Sequence, residues 1–142
     1  MSLAVEAVRG LLVAKLTALG QTALRDRDEF DALTEPELPA TLVDEPGMVE
    51  ISWPEGRHGG AAMHLVTFSL TFAAATRSAA HANLQSAANA LADDFTLGGQ
   101  VSDLEVLNYG GDENNGKDLS AITLEIRVRF ETPPNDFGTL ST

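Results

Sequence analysis

The ten residues 121–130, AITLEIRVRF, alternate between apolar and polar side chains without a break. A strict period of two is typical of a β-strand with one buried face and one open face. The apolar set comprises Ile122, Leu124, Ile126, Val128 and Phe130; the polar set comprises Thr123, Glu125, Arg127 and Arg129. Such a strand needs neighbouring strands and a layer that covers its apolar side. What its charged side contacts is the main functional question that the sequence raises.

Two helical patterns can supply the covering layer. The first helix is expected from about Leu3 to Leu19, with Gly20 as its C-cap and with Gly10 weakening it by about 1 kcal/mol relative to alanine. Its apolar stripe consists of Val5, Val8, Leu12, Leu16 and Leu19. The second is expected from a Ser78 cap to about Leu97, with a stripe of Leu84, Ala88, Leu91 and Phe95.

Four further segments have the composition of strands. Short strands are expected at Ala40 to Val43 and Met48 to Trp53, and long ones at 63–72 and 101–109. Glycine-rich stretches at 55–60 and 110–118 are interpreted as loops. We therefore predict an α+β fold in one domain, residues 1–131: a small mixed or antiparallel sheet of four to five strands, with two helices packed on one face. The other face is expected to be bare, and 132–142 is expected to be a tail whose prolines prevent further pairing.

Charge limits the partners of this domain. The chain has 21 acidic and 9 basic residues and a formal charge of −12, which repels nucleic-acid phosphates and disfavours tight DNA binding. Ten acids lie between Asp26 and Glu55, where a solvated loop is the simplest interpretation. Glu6, Arg9 and Lys15 interrupt the apolar N-terminus, so we expect an amphipathic helix and neither a signal peptide nor a membrane anchor. No cysteine is present, which excludes disulfides and thiolate chemistry.

Motifs of catalysis are not found in the sequence. The segment GDENNG at 111–116 lacks the glycine and the final acid of a calcium loop, and is interpreted as a hairpin loop. His58, His64 and His81 have no metal-binding spacing, and we interpret them as unrelated surface or rim residues. Nucleotide-binding and nucleophile-elbow motifs are absent. We expect no enzyme activity, no metal and no cofactor.

The charged side of the last strand is the strongest candidate for an interaction site. Arg127 and Arg129 are two of only nine basic residues, and they could pair with carboxylates of a neighbouring subunit. A solvated sheet face is the alternative. The interface hypothesis comprises Glu125, Arg127, Arg129, Glu131, Arg57 and His58. Loop residues expected to order on assembly are Asp112, Glu113, Asn114, Asn115 and Lys117.

The succession of these segments resembles a known family. An amphipathic helix, the segment ELPATLV at 37–43, the strand HLVTFSLTF at 64–72, an alanine-rich helix and a hairpin that ends in ITLEIRVRFE at 122–131 are similar to the tail terminator, or tail completion, proteins of long-tailed bacteriophages and gene transfer agents. The resemblance spans residues 3–131 and rests on size, element order and a few phrases. The acidic stretch from Asp26 to Glu37 departs from the family pattern.

The resemblance implies a structural virion protein that forms a hexameric ring at the head-proximal end of the tail. The ring would cap the tail tube, contact the tail tube protein and the head-tail connector or stopper, and let DNA pass without specific binding. Assembly would take place in the cytoplasm of a bacterial host, without a membrane. Alternatives are a tail tube or head-completion subunit, or a small-ligand-binding or catalytic α+β domain with a pocket near His58 and His64.

Overall fold

A computed structural model describes residues 3–25, 28, 30, 39–56, 60–113 and 120–141. Within these ranges the chain forms two helices and six strands, numbered here in chain order. They are α1 (Ala4–Ala18), β1 (Ala23–Leu24), β2 (Ala40–Val43), β3 (Glu50–Ser52), β4 (Ala62–Ala74), α2 (Arg77–Asp93), β5 (Asp103–Glu113) and β6 (Ser120–Thr132). The predicted α+β class is confirmed.

All six strands belong to one mixed sheet. Its order is β1-β2-β4-β6-β5, and β3 pairs with β4 beyond the end of β2. Only β1 and β2 are parallel. Six strands are present where four to five were expected, because the two residues of β1 are too few to show a period in the sequence.

The core lies on one side of the sheet, which we call the core face. β4 and β6 pair along their whole lengths, from Ala62 opposite Thr132 to Ala74 opposite Ser120, so their apolar alternations coincide. Both helices cover this face. The large core-face side chains are fully buried: Phe68, Leu70 and Phe72 on β4, and Leu124, Ile126 and Phe130 on β6. Each such side chain contributes about 1.5–3 kcal/mol by leaving water.

Helix α1 packs through the expected stripe, with one exception. Val5, Val8, Leu12 and Leu16 are buried, whereas Leu19 is 38% exposed because it lies past the last helical turn as the C-cap. The sequence did not indicate the role of Arg9 on this helix. Arg9 is buried, and its Nε donates to the carbonyl oxygen of Val43 at 3.0 Å, which ties α1 to β2.

Helix α2 begins and ends earlier than expected. Its N-cap is Thr76, whose Oγ1 accepts a hydrogen bond from the amide of Ala79 at 3.1 Å, so Ser78 is not the cap. The helix ends at Asp93, four residues before Leu97. Phe95 therefore leaves the stripe and is 51% exposed. Ala87 is fully buried, whereas Ala88, which was expected on the apolar stripe, is only partly buried.

β5 is longer and less regular than expected. It continues through Glu113, into the stretch that we interpreted as a turn. Its register against β6 shifts twice, between Val106 and Asn108 and between Gly110 and Glu113. Gly110 and Gly111 have φ values of 155° and 72°, which glycine adopts at low cost. These two glycines therefore allow the second register shift, between Gly110 and Glu113.

The second side of the sheet, which we call the outer face, is covered at one corner only. Leu42 lies opposite Thr71 on this face and is fully buried, and Ala73 and Ala121 beside it are nearly so. The expectation of a wholly bare face is wrong at this corner. From the row of Thr71 and Thr123 toward Met63 and Glu131, the outer-face side chains of β4 and β6 are partly or fully exposed.

The C-terminal segment 133–141, which we call the strap, folds back onto the domain. The amide of Ala4 donates to the carbonyl oxygen of Phe137 at 2.8 Å, and the amide of Ser141 donates to that of Glu131 at 2.9 Å. Leu140 packs against the core. Among the described residues, no helix is both long and apolar enough to cross a membrane.

Candidate interaction surface

The open part of the outer face consists of cross-strand rows that run over β4, β6 and β5. Because directly opposed residues share a face, the register assigns each row. The rows are Thr71–Thr123–Gly110, Ser69–Glu125–Asn108, Thr67–Arg127–Glu105 and Leu65–Arg129–Asp103, followed by Met63–Glu131. The structure thus brings together the four β6 residues of the predicted interface and adds Asp103 and Glu105 to them.

Arg127 has its carboxylate partner within the same chain. Its Nη2 lies 2.6 Å and its Nε 3.1 Å from Oε1 of Glu105, directly across from it on β5. Both side chains are about half exposed, so this pair contributes at most about 1 kcal/mol. An exposed pair of this strength is easily exchanged for a partner on another molecule.

Arg129 is the most exposed residue of β6. It lies opposite Asp103 and Leu65, and it forms no ion pair with any described residue. Glu125 and Glu131 are half-buried on the same face, two residues to either side of the arginine pair. Along β6 the outer-face charges therefore run acid, base, base, acid, with spacings of about 7 Å between neighbours. We call these four side chains the charged row.

A groove between α2 and β5 was not expected from the sequence. It has a volume of about 370 Å³ and is lined on the helix side by His81, Leu84, Gln85, Ala88 and Asn89, and on the sheet side by Val106, Tyr109 and Ile122. Val106 is 37% and Tyr109 68% exposed, whereas Leu104 on the same strand is buried. The register shift after Val106 leaves the far end of β5 beyond the cover of α2. No signal in the sequence reports such a shift.

His64 is buried, contrary to the interpretation of a surface or rim residue. It is 5% exposed on the core side of β4, stacked on Phe130 with ring centroids 4.8 Å apart. The edge-on ring of Phe137 lies 5.1 Å away, and Nε2 is 2.9 Å from Oγ1 of Thr132. Burial lowers the pKa of His64 below its ordinary value of 6.5. In hindsight, the alternation of β4 placed His64 on the apolar side, in phase with Val66.

The cavity beside His64 is small. Leu3, Val5, Val49, Ile51, His64 and Phe137 enclose about 80 Å³. Ligand pockets have volumes of about 300–1,000 Å³, so this cavity does not fit a small-molecule substrate. Trp53 lies beside Phe137, with the two ring centroids 6.1 Å apart.

Asp94 joins the two helix ends. It caps α2 at the C-terminus, where its carboxylate accepts the amide of Gly98 at 3.0 Å and Nζ of Lys15 at 3.1 Å. The hydrogen bond from Gly98, followed by that from Lys15, lowers the pKa of Asp94. These bonds explain an acid at a helix C-terminus, a position that the helix dipole disfavours.

Several predicted site residues lie outside the described ranges. They are Arg57, His58, Asn114, Asn115 and Lys117, together with most of the acidic stretch from Asp26 to Glu37. The backbone of Asp112 and Glu113 belongs to β5. Among the described residues, no cluster of three histidines or carboxylates could hold a metal ion. The described surface thus offers paired charges and exposed apolar groups, which are suited to contact with other proteins.

Comparison with known proteins finds similarities among solved structures. No protein-family model matches the chain, and no curated protein matches it. A chain in a solved structure of the virion of a native gene transfer agent particle is similar at 19% identity, with a TM-score of 0.46 over 85% of this chain and 84% of that chain. A similarity of this size does not by itself assign a function.

Proposed function

We propose that this chain is a structural virion protein, a tail terminator that forms a hexameric ring, caps the tail tube and joins the tail to the head. The observation that carries the proposal is the open outer face, with Arg129 exposed and without an ion pair to any described residue. The hexameric ring and the position at the tail enter the proposal through the sequence resemblance over residues 3–131. The observed order of helices and strands is the order on which that resemblance rests.

The charged row suits contact between copies of one acidic chain. A closed ring uses head-to-tail contacts, in which one patch meets a different patch of the next copy. With 21 acids against 9 bases, every copy has carboxylates to spare, whereas cationic side chains are scarce. Arg129 offers one, and Arg127 can exchange Glu105 for a carboxylate of the neighbour. In such an interface, Glu125 and Glu131 at the two ends of the row fix its register by repelling misplaced acids.

The net charge of −12 fits a channel for DNA. Phosphates and carboxylates repel each other, so a ring of such subunits lets a duplex pass without holding it. On this proposal the protein acts in the virion, at the head-proximal end of the tail, between the tail tube protein and the connector. It acts as a structural component without catalysis or a cofactor.

Charge reversal of the two arginines tests the proposal. The variant carrying both Arg127→Glu and Arg129→Glu should form no rings, because the row then contains only carboxylates and meets an acidic neighbour. Arg25→Glu is the control for charge reversal outside the row, since Arg25 is exposed beyond β1; it makes one such reversal where the double variant makes two. Mass photometry and negative-stain images, over a range of protein concentrations and with tail tubes added, measure assembly.

The outcomes separate the alternatives. Rings from the parent and from Arg25→Glu, with none from the double variant, support the proposal. An unchanged assembly of the double variant would remove the charged row from the interface. Open-ended tubes in place of closed rings would indicate a tail tube subunit, since termination requires a contact that closes.

A further inference from the structure

The strap 133–141 is held by a small number of anchors. Pro133, Phe137 and Leu140 are its half-buried apolar side chains, while Pro134 to Asp136 and Gly138 to Thr139 are exposed. Within the described part of the chain, two backbone hydrogen bonds tie it to the domain, one donated by Ala4 and one by Ser141. A segment with so few contacts detaches more readily than the sheet unfolds, because local stability follows the number of buried contacts.

His64 lies beneath the main anchor and is linked to the first residue of the strap by a chain of hydrogen bonds. Oγ1 of Thr132 lies 3.1 Å from the carbonyl oxygen of Pro133, to which it can donate, and 2.9 Å from Nε2 of His64. When the hydroxyl hydrogen is given to Pro133, Oγ1 accepts from His64 and the imidazole hydrogen is on Nε2. A second proton would have to add at Nδ1.

Among the described residues, no carboxylate compensates the charge that this second proton would bring. The charged groups on the elements around His64 are engaged elsewhere or face the other side of the sheet. Glu6 of α1 pairs with Arg9, Asp136 of the strap binds the amide of Gly138 and the hydroxyl of Thr139, and Glu50, Arg129 and Glu131 occupy outer-face register positions. The face of Phe130 offers a cation some stabilisation, but less than the loss of its hydration costs.

We propose that His64 is a pH-sensitive latch for the strap. The neutral imidazole, packed between Phe130 and Phe137, holds the strap on the domain, and the imidazolium releases it. Release uncovers the apolar wall of Leu3, Val5, Val49 and Ile51 and frees the amide of Ala4 at the start of α1. This inference concerns the strap alone and does not depend on the proposed ring.

The direction of the pH dependence follows from burial. Burial in the docked state lowers the pKa of His64, so docking is fully favourable above the ordinary value of 6.5 and weakens as pH falls below it. Between 6.5 and the pKa of the docked state, the docking equilibrium constant falls about tenfold for each pH unit, because release takes up one proton. At pH 5.0 the loss reaches at most about 30-fold. The sequence pI of about 4.4 sets a practical lower limit for such measurements.

A spin label on the strap measures its release. The chain has no cysteine, so Ser141→Cys provides a single labelling site on an exposed residue. We expect the mobile fraction in the electron paramagnetic resonance spectrum to rise as pH falls from 7.5 to 5.0, while far-UV circular dichroism stays constant. Fluorescence of Trp53, the only tryptophan and a neighbour of Phe137, should change in parallel.

Three variants in the labelled background complete the test. His64→Gln should keep the label immobile throughout, whereas the matched control His81→Gln should retain the parent transition. Phe137→Ala removes the main anchor of the strap and should give a mobile label at every pH. This variant shows the signal of the released strap, whether or not His64→Gln folds well. A transition that persists in His64→Gln would overturn the latch. So would a parent label whose mobility is constant between pH 7.5 and 5.0, or changes only together with loss of the dichroism signal.

Discussion

Replacing Arg9 with methionine should be among the most destabilising single changes in this chain. Arg9 is 6% exposed on the core side of α1. Its Nε donates to Val43 at the end of β2, and its Nη2 donates to the carbonyl oxygen of Arg25 just after β1. The side chain therefore fastens the helix to the two strands at one edge of the sheet. Methionine preserves most of the apolar stem and removes both donors.

The magnitude follows from the two acceptors. Hydrogen bonds from a charged donor contribute about 1.5–3 kcal/mol, and an orphaned buried acceptor costs about 1–3 kcal/mol. Val43 is fully buried, so its carbonyl stays without a donor, whereas Arg25 is exposed and its carbonyl can be hydrated. The ion pair with Glu6, at 3.6 Å on the surface, adds about 0.3 kcal/mol. The expected loss in the free energy of unfolding is about 2–4 kcal/mol.

Urea denaturation followed by Trp53 fluorescence measures this loss. With an m-value of about 2 kcal/mol/M, the midpoint should fall by about 1–2 M urea. Arg25→Met is the matched control, because it removes an exposed guanidinium and keeps the backbone carbonyl; its midpoint should move by less than about 0.3 M. Equal shifts in the two variants, or none in Arg9→Met, would refute the reasoning.

Two further changes test other contacts. Gly10→Ala should stabilise the protein by up to about 1 kcal/mol and raise Tm by about 2–4 °C. The new Cβ would meet only the end of the exposed Arg25 side chain, which can move. A lower Tm in a calorimetric scan would show instead that the Arg25 side chain is fixed there. Asp94→Asn should destabilise at pH 7, because Gly98 and Lys15 hold the pKa of Asp94 below its ordinary value of 3.8. The difference in the free energy of unfolding between Asp94→Asn and the parent should be complete above pH 3.8 and should shrink as pH falls through the lowered pKa. If urea titrations show a constant difference down to pH 2.5, the proposed role of the Asp94 carboxylate is wrong.

Periodicity predicted the elements well where it was strong. The bounds of β2 were predicted correctly, and the long strands and α1 were placed to within a few residues. Errors occurred where a long-range contact decides the outcome. α2 ends early because Asp94 turns to Gly98 and Lys15, and β5 continues past Tyr109 because β6 is available for pairing.

The candidate site was predicted in part for the same reason. Alternation along β6 was sufficient to place Glu125, Arg127, Arg129 and Glu131 on one face. It could not identify Glu105 as the partner of Arg127, because that pairing depends on the register of β5 and on the shift after Val106. A period reports which face a side chain occupies, and never which strand lies beside it.

The sequence by itself determined the fold class, the polarity of each face and the acidity of the surface, since these follow from local spacing and from composition. Only the tertiary structure decided how those faces are used. Arg9 reaches a carbonyl 34 residues away, His64 a hydroxyl 68 residues away, and Lys15 a carboxylate 79 residues away. Contacts over such separations form only when the fold brings distant segments of the chain together. Their positions are fixed by the cooperative packing of the whole sheet against its helices. The position of His64 beneath the strap, and that of Arg129 without an ion pair to any described residue, therefore became visible only in the folded molecule.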